Sequence, residues 1–187
     1  MLLSGLEQIQ SQSIELEQYA TDGDLSARWL TDISTFGDLQ KGCTVADLGS
    51  GNGVLGLGAL ALGAGKTILI EADQMACDTA KRNAEKMDFD HSVEVIQASI
   101  GTDPIQLDSA DVIVSNPPWG RQYPKADRPF LDAILSARVP SHLMHSAEAS
   151  HIEPAFKGQG WSVERYGEAD FALPAAYSHH SRERGKT

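Results

Sequence analysis

The sequence predicts an α/β fold, a mostly parallel sheet covered by helices on both faces. Three observations predict it. Short apolar runs alternate with helical patterns from residue 43 onward. A glycine cluster, Gly49-Ser50-Gly51-Asn52-Gly53, separates the first run from an apolar helix. A rigid turn, Asn116-Pro117-Pro118-Trp119, follows the fourth run. Both turns fall at the carboxyl ends of strands, where the ligands of such sheets sit.

The elements follow in order. Residues 6–19 (Leu6, Ile9, Ile14 and Leu16 among Gln and Glu) read as a polar helical lead-in. Residues 24–39 keep helical spacing at Leu25, Trp29, Leu30 and Ile33, with Asp24 as the cap and Lys41-Gly42 as the break. Strands are expected at 43–48, 67–71, 93–96 and 111–114, and helices at 54–62, 74–87 and 129–138. A weaker strand at 141–145, a helix at 147–157 and a last strand at 161–166 complete the set. No repeat or low-complexity linker interrupts the pattern. Residues 1–40 form a lead-in and 41–187 the functional unit, a single domain overall.

Composition narrows the class. The 187 residues suffice for a core without staples. No run of about 18 apolar residues marks a membrane span, and the first residues lack the basic and apolar regions of a secretory signal. Cys43 and Cys77 are too few for a disulfide framework or a zinc site, so a reduced, cytoplasmic protein is the expectation. Fifteen Lys and Arg against 26 Asp and Glu give a net charge of -11. A nucleic-acid partner would therefore have to be held by locally concentrated bases. Arg182, Arg184 and Lys186 supply one such cluster in the C-terminal tail. Arg121, Lys125 and Arg128, just after the Asn-Pro-Pro-Trp turn, supply another.

Gly51-Asn52-Gly53-Val54-Leu55-Gly56 matches G-x-G-x-x-G, and Glu71 stands 20 residues after Gly51. Glycines let the backbone approach a nucleoside, and a carboxylate ending the second strand accepts hydrogen bonds from both ribose hydroxyls. A dinucleotide-dependent oxidoreductase shares this pattern. Asp47 leans away from it: its carboxylate would repel a pyrophosphate but tolerate a cationic sulfonium amino acid.

Asn116-Pro117-Pro118-Trp119 points to the reaction. Two prolines fix φ and remove two backbone donors, leaving carbonyls that only accept. The Asn116 oxygen is a further acceptor. Such a turn suits an NH2 group donating two hydrogen bonds, as an adenine amine or a carboxamide does. Trp119 offers a flat face on which an extruded base would stack.

With these residues in view, the chain resembles the class I S-adenosylmethionine-dependent methyltransferases. Asp47-Leu48-Gly49-Ser50-Gly51-Asn52-Gly53 is similar to their motif I and Asn116 to Trp119 to their amino-methyltransferase motif IV. Leu16-Glu17-Gln18-Tyr19-Ala20-Thr21, Lys81-Arg82-Asn83-Ala84-Glu85 and the segment Asp170 to Tyr177 resemble the methyltransferase-like family of small-subunit rRNA adenine-N6 methyltransferases. The resemblance implies a Rossmann-like doubly wound sheet and S-adenosylmethionine as cofactor. It implies that Gln18 and Thr21 help to close over the cofactor, that Gly49, Asn52 and Val54 line its methionine moiety, and that Glu71 holds its ribose. Asn116, Pro117, Pro118 and Trp119 would hold the target adenine. For eukaryotic members it also implies a small zinc-binding activator protein along the third-strand edge.

Three departures from the family pattern stand out. Ala20 replaces a proline. Ser99 replaces an aspartate that accepts from the cofactor adenine amine, and a hydroxyl accepts more weakly. The final antiparallel strand of the family fold is expected to be missing, because nothing after Tyr177 is apolar, which leaves a six-stranded sheet with a disturbed C-terminal edge. His142, His145 and His151 suggest a metal site, but no clustered Cys or carboxylate completes one in the sequence, so no metal is expected. Rival readings are a protein-glutamine N5 methyltransferase, which targets a carboxamide, and a catalytically weak S-adenosylmethionine-binding scaffold.

Overall fold

The computed structural model describes residues 3–9, 21–120, 123–172 and 184–186. Five parallel strands form the sheet: β1 (Thr44–Leu48), β2 (Lys66–Glu71), β3 (Val93–Gln97), β4 (Val112–Ser115) and β5 (Ser141–Leu143), in the order β3-β2-β1-β4-β5. The chain runs outward from β1 to β3, then crosses back to lay β4 against the other side of β1. The strand order therefore reverses between β1 and β4. That reversal opens a crevice at the carboxyl ends of the two strands.

The strands form because their residues are apolar on both faces. Val45, Val112 and Val114 face a layer built from α1 (Gly23–Phe36) and α2 (Val54–Ala61), with Leu30, Ile33 and Leu57 fully buried among them. Ala46, Leu48, Ile68, Ile70 and Ile113 face the opposite layer, with Leu131 and Ile134 of α4 (Arg128–Ala137) and Phe156 of α5 (Ile152–Lys157). Helix α3 (Gln74–Lys86) links β2 to β3. Its alanines Ala76, Ala80 and Ala84 are buried while Lys81, Arg82 and Glu85 face outward. No described helix is long and apolar enough to cross a membrane.

Local differences from the sequence reading have physical causes. The cap of α1 is Asp22 rather than Asp24: its carboxylate accepts from the N–H groups of Asp24 and Leu25 at 2.9 and 3.1 Å. Gly37, in the left-handed region, ends that helix one turn after Ile33. A short 3-10 turn stands at Leu3–Gly5, and residues 6–9, the described part of the expected helical lead-in, carry no regular structure. The remainder of that segment, with Gln18 and Ala20, lies outside the described residues. Helix α5 begins at Ile152, five residues later than expected.

The larger correction concerns the C-terminal edge. Residues 161–169 form no strand, so the described sheet has five strands and not six. Next come β6 (Asp170–Ala172) and β7 (Arg184–Lys186), which pair antiparallel as a separate two-stranded unit. The alternation in Trp161-Ser162-Val163-Glu164 marks an extended segment, but side chains rather than ladder bonds hold it. The Arg165 guanidinium donates to the carbonyls of Ala147 and Ala149, both at 3.1 Å. The Tyr166 hydroxyl lies 2.9 Å from His142 Nδ1 and accepts from Trp29 Nε1 at 2.7 Å. Asp38 Oδ2 stands 3.0 Å from His142 Nε2. A single proton arrangement satisfies this chain: Nε2–H donates to Asp38, Nδ1 accepts from Tyr166, and Tyr166 accepts from Trp29. Burial depresses the His142 pKa and pushes the Tyr166 phenol up to about 12, so both stay neutral near pH 7.

Tyr166→Phe removes the central hydroxyl and leaves two buried nitrogens without it. We expect urea denaturation to show a loss of about 1–3 kcal/mol. An unchanged midpoint would mean that water replaces the hydroxyl without penalty.

Candidate active site

The crevice is framed by residues at the carboxyl ends of three adjacent strands. Leu48 of β1 is in register with Ile70 of β2 and Ser115 of β4. Gly49, Glu71 and Asn116 therefore emerge side by side. The Ser115 hydroxyl donates to the Leu48 carbonyl at 2.8 Å and fixes β4 against β1 at that level.

Glu71 organises the glycine loop. Its Oε2 accepts from Gly51 N–H at 2.9 Å, and its Oε1 accepts from the N–H groups of Ala72 and Asp73 at 2.9 and 3.0 Å. The N–H groups of Gly49 and Ser50 donate to the Ile70 carbonyl at 2.9 and 3.1 Å. Gly51 has φ +55°, and a Cβ built on it would meet nothing within 4 Å, so the loop is open on that side. At Gly53 (φ +83°) a Cβ would press on Leu69 and Ala80, so that glycine serves helix packing, as does the buried Val54 at the start of α2. At Gly49 a Cβ would come within 2.9 Å of the Phe130 ring, which places an α4 aromatic over the loop. The sequence carried no signal for Phe130, because an aromatic on an amphipathic helix reads as core.

Asp47 is fully buried beneath this loop. Its Oδ2 accepts from Gly56 N–H in the first turn of α2 at 3.0 Å, while Oδ1 has no hydrogen-bond partner. Burial is the chief cause that raises its pKa to about 7. Asn52 is also buried, and its Nδ2 donates to the Glu7 carbonyl at 3.1 Å. Asn83 completes that anchor: its Oδ1 accepts from Glu7 N–H at 2.7 Å, and its Nδ2 donates to the carbonyls of Glu7 and Asn52 at 3.1 and 3.0 Å. The N-terminal segment is thereby strapped to the loop. Neither Asn83 nor Glu7 stood out in the sequence as a site residue.

On the β4 side, the Asn116 amide is fixed at both ends. Its Nδ2 donates to Thr21 Oγ1 at 3.0 Å, and its Oδ1 accepts from Trp119 Nε1 at 3.1 Å. Trp119 is only 8% exposed and belongs to the core around α1, so it is not the open platform the sequence suggests. Pro117 is buried and Pro118 half-buried. Ser99 N–H donates to Asp103 Oδ2 at 2.7 Å, which brings a carboxylate to the position where the sequence offers only a hydroxyl. Lys125 is exposed, Arg128 pairs with Asp132 at 3.0 Å, and Arg121 lies outside the described residues.

The three histidines separate. His142 belongs to the edge network. His145 and His151 share a carboxylate, Asp127, which the sequence reading missed because it lies 18 residues before His145. His151 Nε2 donates to Asp127 Oδ2 at 2.5 Å, and ligand-type atoms of Asp127, His145 and His151 lie within 4.8 Å of one another, so the clustered carboxylate that the sequence did not show beside the histidines is present in the fold.

The loop fits a nucleoside cofactor. Glu71 keeps an unused lone pair on Oε2 for a ribose hydroxyl, Gly51 leaves space, and the buried Asp47 ties the first turn of α2 to the end of β1 beneath the loop. The family model of the ribosomal protein L11 methyltransferases (PrmA) matches residues 21–117, from Thr21 to the second residue of the Asn-Pro-Pro-Trp turn. An rRNA N(6)-adenosine-methyltransferase, METTL5 of Danio rerio, is 31% identical over 97% of this chain and 89% of its own length. This chain belongs to the METTL5 family of methyltransferases. The protein MJ0284 of Methanocaldococcus jannaschii is likewise 31% identical, over 98% of this chain and 86% of its own. The crystal structure of PH1948 from Pyrococcus horikoshii, a proposed RNA methyltransferase, superposes with a TM-score of 0.83 at 30% identity. The superposition covers 98% of this chain and 90% of that one. The METTL5-family alignments thus run through the β5 edge and the C-terminal segment, where the PrmA model does not reach.

Asp47 gives the free protein a characteristic pH dependence. Its pKa is raised in the folded state, so the native protein keeps a proton that the unfolded chain releases. The associated stability is present below about pH 4 and is lost as pH rises through about 7. Denaturation midpoints of Asp47→Asn should lack this decline. A wild-type and Asp47→Asn difference that stays constant between pH 5 and 8 would show that Asp47 is ionised throughout.

Proposed function

We propose that this chain transfers the methyl group of S-adenosylmethionine to the exocyclic N6 amine of an adenine in RNA, with small-subunit rRNA as the substrate. One observation carries the reading. The Glu71 clamp on the glycine loop, at the last residue of β2, and the doubly fixed Asn116 amide, one residue beyond β4, stand on either side of the same β1 terminus. A nucleoside cofactor and an NH2-bearing target then meet in one crevice.

The residues take these roles. Glu71 and Gly51 hold the ribose; Gly49, Asn52, Gly53 and Val54 shape the loop around the methionine moiety; Asp47 supports the loop from below. Ser99, with Asp103 beside it, faces the cofactor adenine, and Gln18 and Thr21 close over the cofactor. S-adenosylmethionine supplies an electrophilic methyl group carried on a sulfonium. Asn116 Oδ1 retains one lone pair beyond its bond with Trp119 and accepts an N6 proton of the target. The carbonyls of the Pro117–Pro118 turn accept the other. Held this way, the amine lone pair turns out of the ring plane toward the methyl group. The N6 lone pair forms the new N–C bond as the methyl's bond to sulfur breaks; that bonding pair stays on sulfur, and the nitrogen releases one proton to water. Trp119 acts as the wall that sets Asn116. Arg121, Lys125, Arg128 and the tail bases are assigned to phosphates around the target. The β3 edge is assigned to a small zinc-binding activator protein.

The test is transfer of labelled methyl groups to rRNA, with N6-methyladenosine identified after digestion and a release-factor protein as the competing acceptor. Label appearing only on glutamine would overturn the proposal. Within that assay Asn116→Ala should lower kcat at least ~100-fold, because it removes a preorganised acceptor. Its KM for S-adenosylmethionine should change only a few-fold. Glu71→Ala should instead weaken S-adenosylmethionine binding by ~1.5–3 kcal/mol in calorimetry.

A further inference from the structure

Asn116 carries the target amine in the reading above, so whatever fixes Trp119 also fixes the reacting nitrogen. The Trp119 ring stacks on His145, with centroids 6.1 Å apart and planes 24° from parallel. His145 is itself held from two sides. Its Nδ1 accepts from Ser146 N–H at 2.9 Å, which places the ring proton on Nε2. Nε2 lies 3.2 Å from Asp127 Oδ2, within ion-pair distance but outside hydrogen-bond geometry. Asp127 is 4% exposed and stands at the N-terminus of α4, where its carbonyl accepts from the N–H groups of Phe130 and Leu131. His151, at the start of α5, donates to the same Oδ2. A continuous run of fixed groups therefore links α5 and α4 to Asn116.

We infer that Asp127 and His145 are positioning residues for methyl transfer: through Trp119 they hold the Asn116 carbonyl at the target amine. The inference rests on the function proposed above. Buried histidines and a carboxylate serving packing alone would not need to reach the motif. Here the carboxylate, the two histidines and the indole are in unbroken contact, and the run ends on the side chain that holds Asn116.

Four variants test it: Asp127→Ala, Asp127→Asn, His145→Phe and His151→Ala. Two readouts are taken, steady-state methyl transfer to rRNA and hydrogen exchange of the Trp119 indole N–H, assigned by Trp119→Phe. Asp127→Ala should lower kcat about 10-fold or more with the S-adenosylmethionine KM within about 2-fold of wild type. Its indole N–H should exchange about 10-fold faster. Asp127→Asn keeps an acceptor oxygen and should stay within about 3-fold of wild type in both readouts. His145→Phe keeps a ring against Trp119 but loses the Asp127 contact, so it should reproduce most of the Asp127→Ala effect even if that variant folds poorly. His151→Ala should resemble wild type. Wild-type kcat and exchange in His145→Phe would overturn the inference, as would a kcat loss in Asp127→Ala with unchanged indole exchange. Stoichiometric zinc bound by wild type and lost in Asp127→Ala would replace it with a metal site. If the wild type methylates no RNA, the proposed function fails, and the indole exchange still decides whether Asp127 holds Trp119.

Discussion

The Glu71 carboxylate accepts three backbone N–H bonds, from Gly51, Ala72 and Asp73, and the cofactor end of the molecule is built outward from that clamp. A carboxylate only 7% exposed is costly to bury unless donors surround it. Three amides at a strand–turn junction meet that need without a cation. They also dictate the loop: Gly51 must turn its N–H toward β2, which requires a left-handed backbone, and this opens the outer face where a ligand fits. The same carboxylate therefore orders the loop and presents an acceptor to a ribose.

The target end is built on a neutral group instead. Asn116 can be held at both ends because its amide donates and accepts at once. A carboxylate there could accept from Trp119 Nε1 but could not donate to Thr21 Oγ1. The Thr21 contact also joins the segment leading into α1 to the motif after β4, and the Glu7–Asn83–Asn52 anchor joins the segment before it to the glycine loop. Cofactor loop, N-terminal strap and target turn are thus mechanically connected through polar side chains rather than through the core.

The sheet's two edges are managed differently. β3 stays an edge strand with half-exposed residues, whereas beside β5 the segment 161–169 is anchored through Tyr166 to His142 and Trp29. Side-chain anchors at Arg165 and Tyr166 hold that segment where no sixth strand forms a ladder, and a cavity lined by both remains between it and β5. This arrangement leaves the motif side of β5 free to carry His145 toward Trp119.

Sequence by itself determined the alternation of strands and helices, the two turns at strand ends, and the residue types able to bind a nucleoside and an amine. Those properties are local: apolar runs, glycines needing positive φ, and prolines without donors act within a few residues. Three things were decided only in the tertiary structure. Trp119 turned inward because its ring found His145 and the core around α1. Asp127 met His145 and His151 because α4 and α5 start beside one another. Residues 161–166 declined to pair as a strand because Tyr166 found Trp29 and His142, 137 and 24 residues away. Each depends on a contact between side chains far apart in the chain, and no local pattern encodes which distant partner a polar side chain will meet.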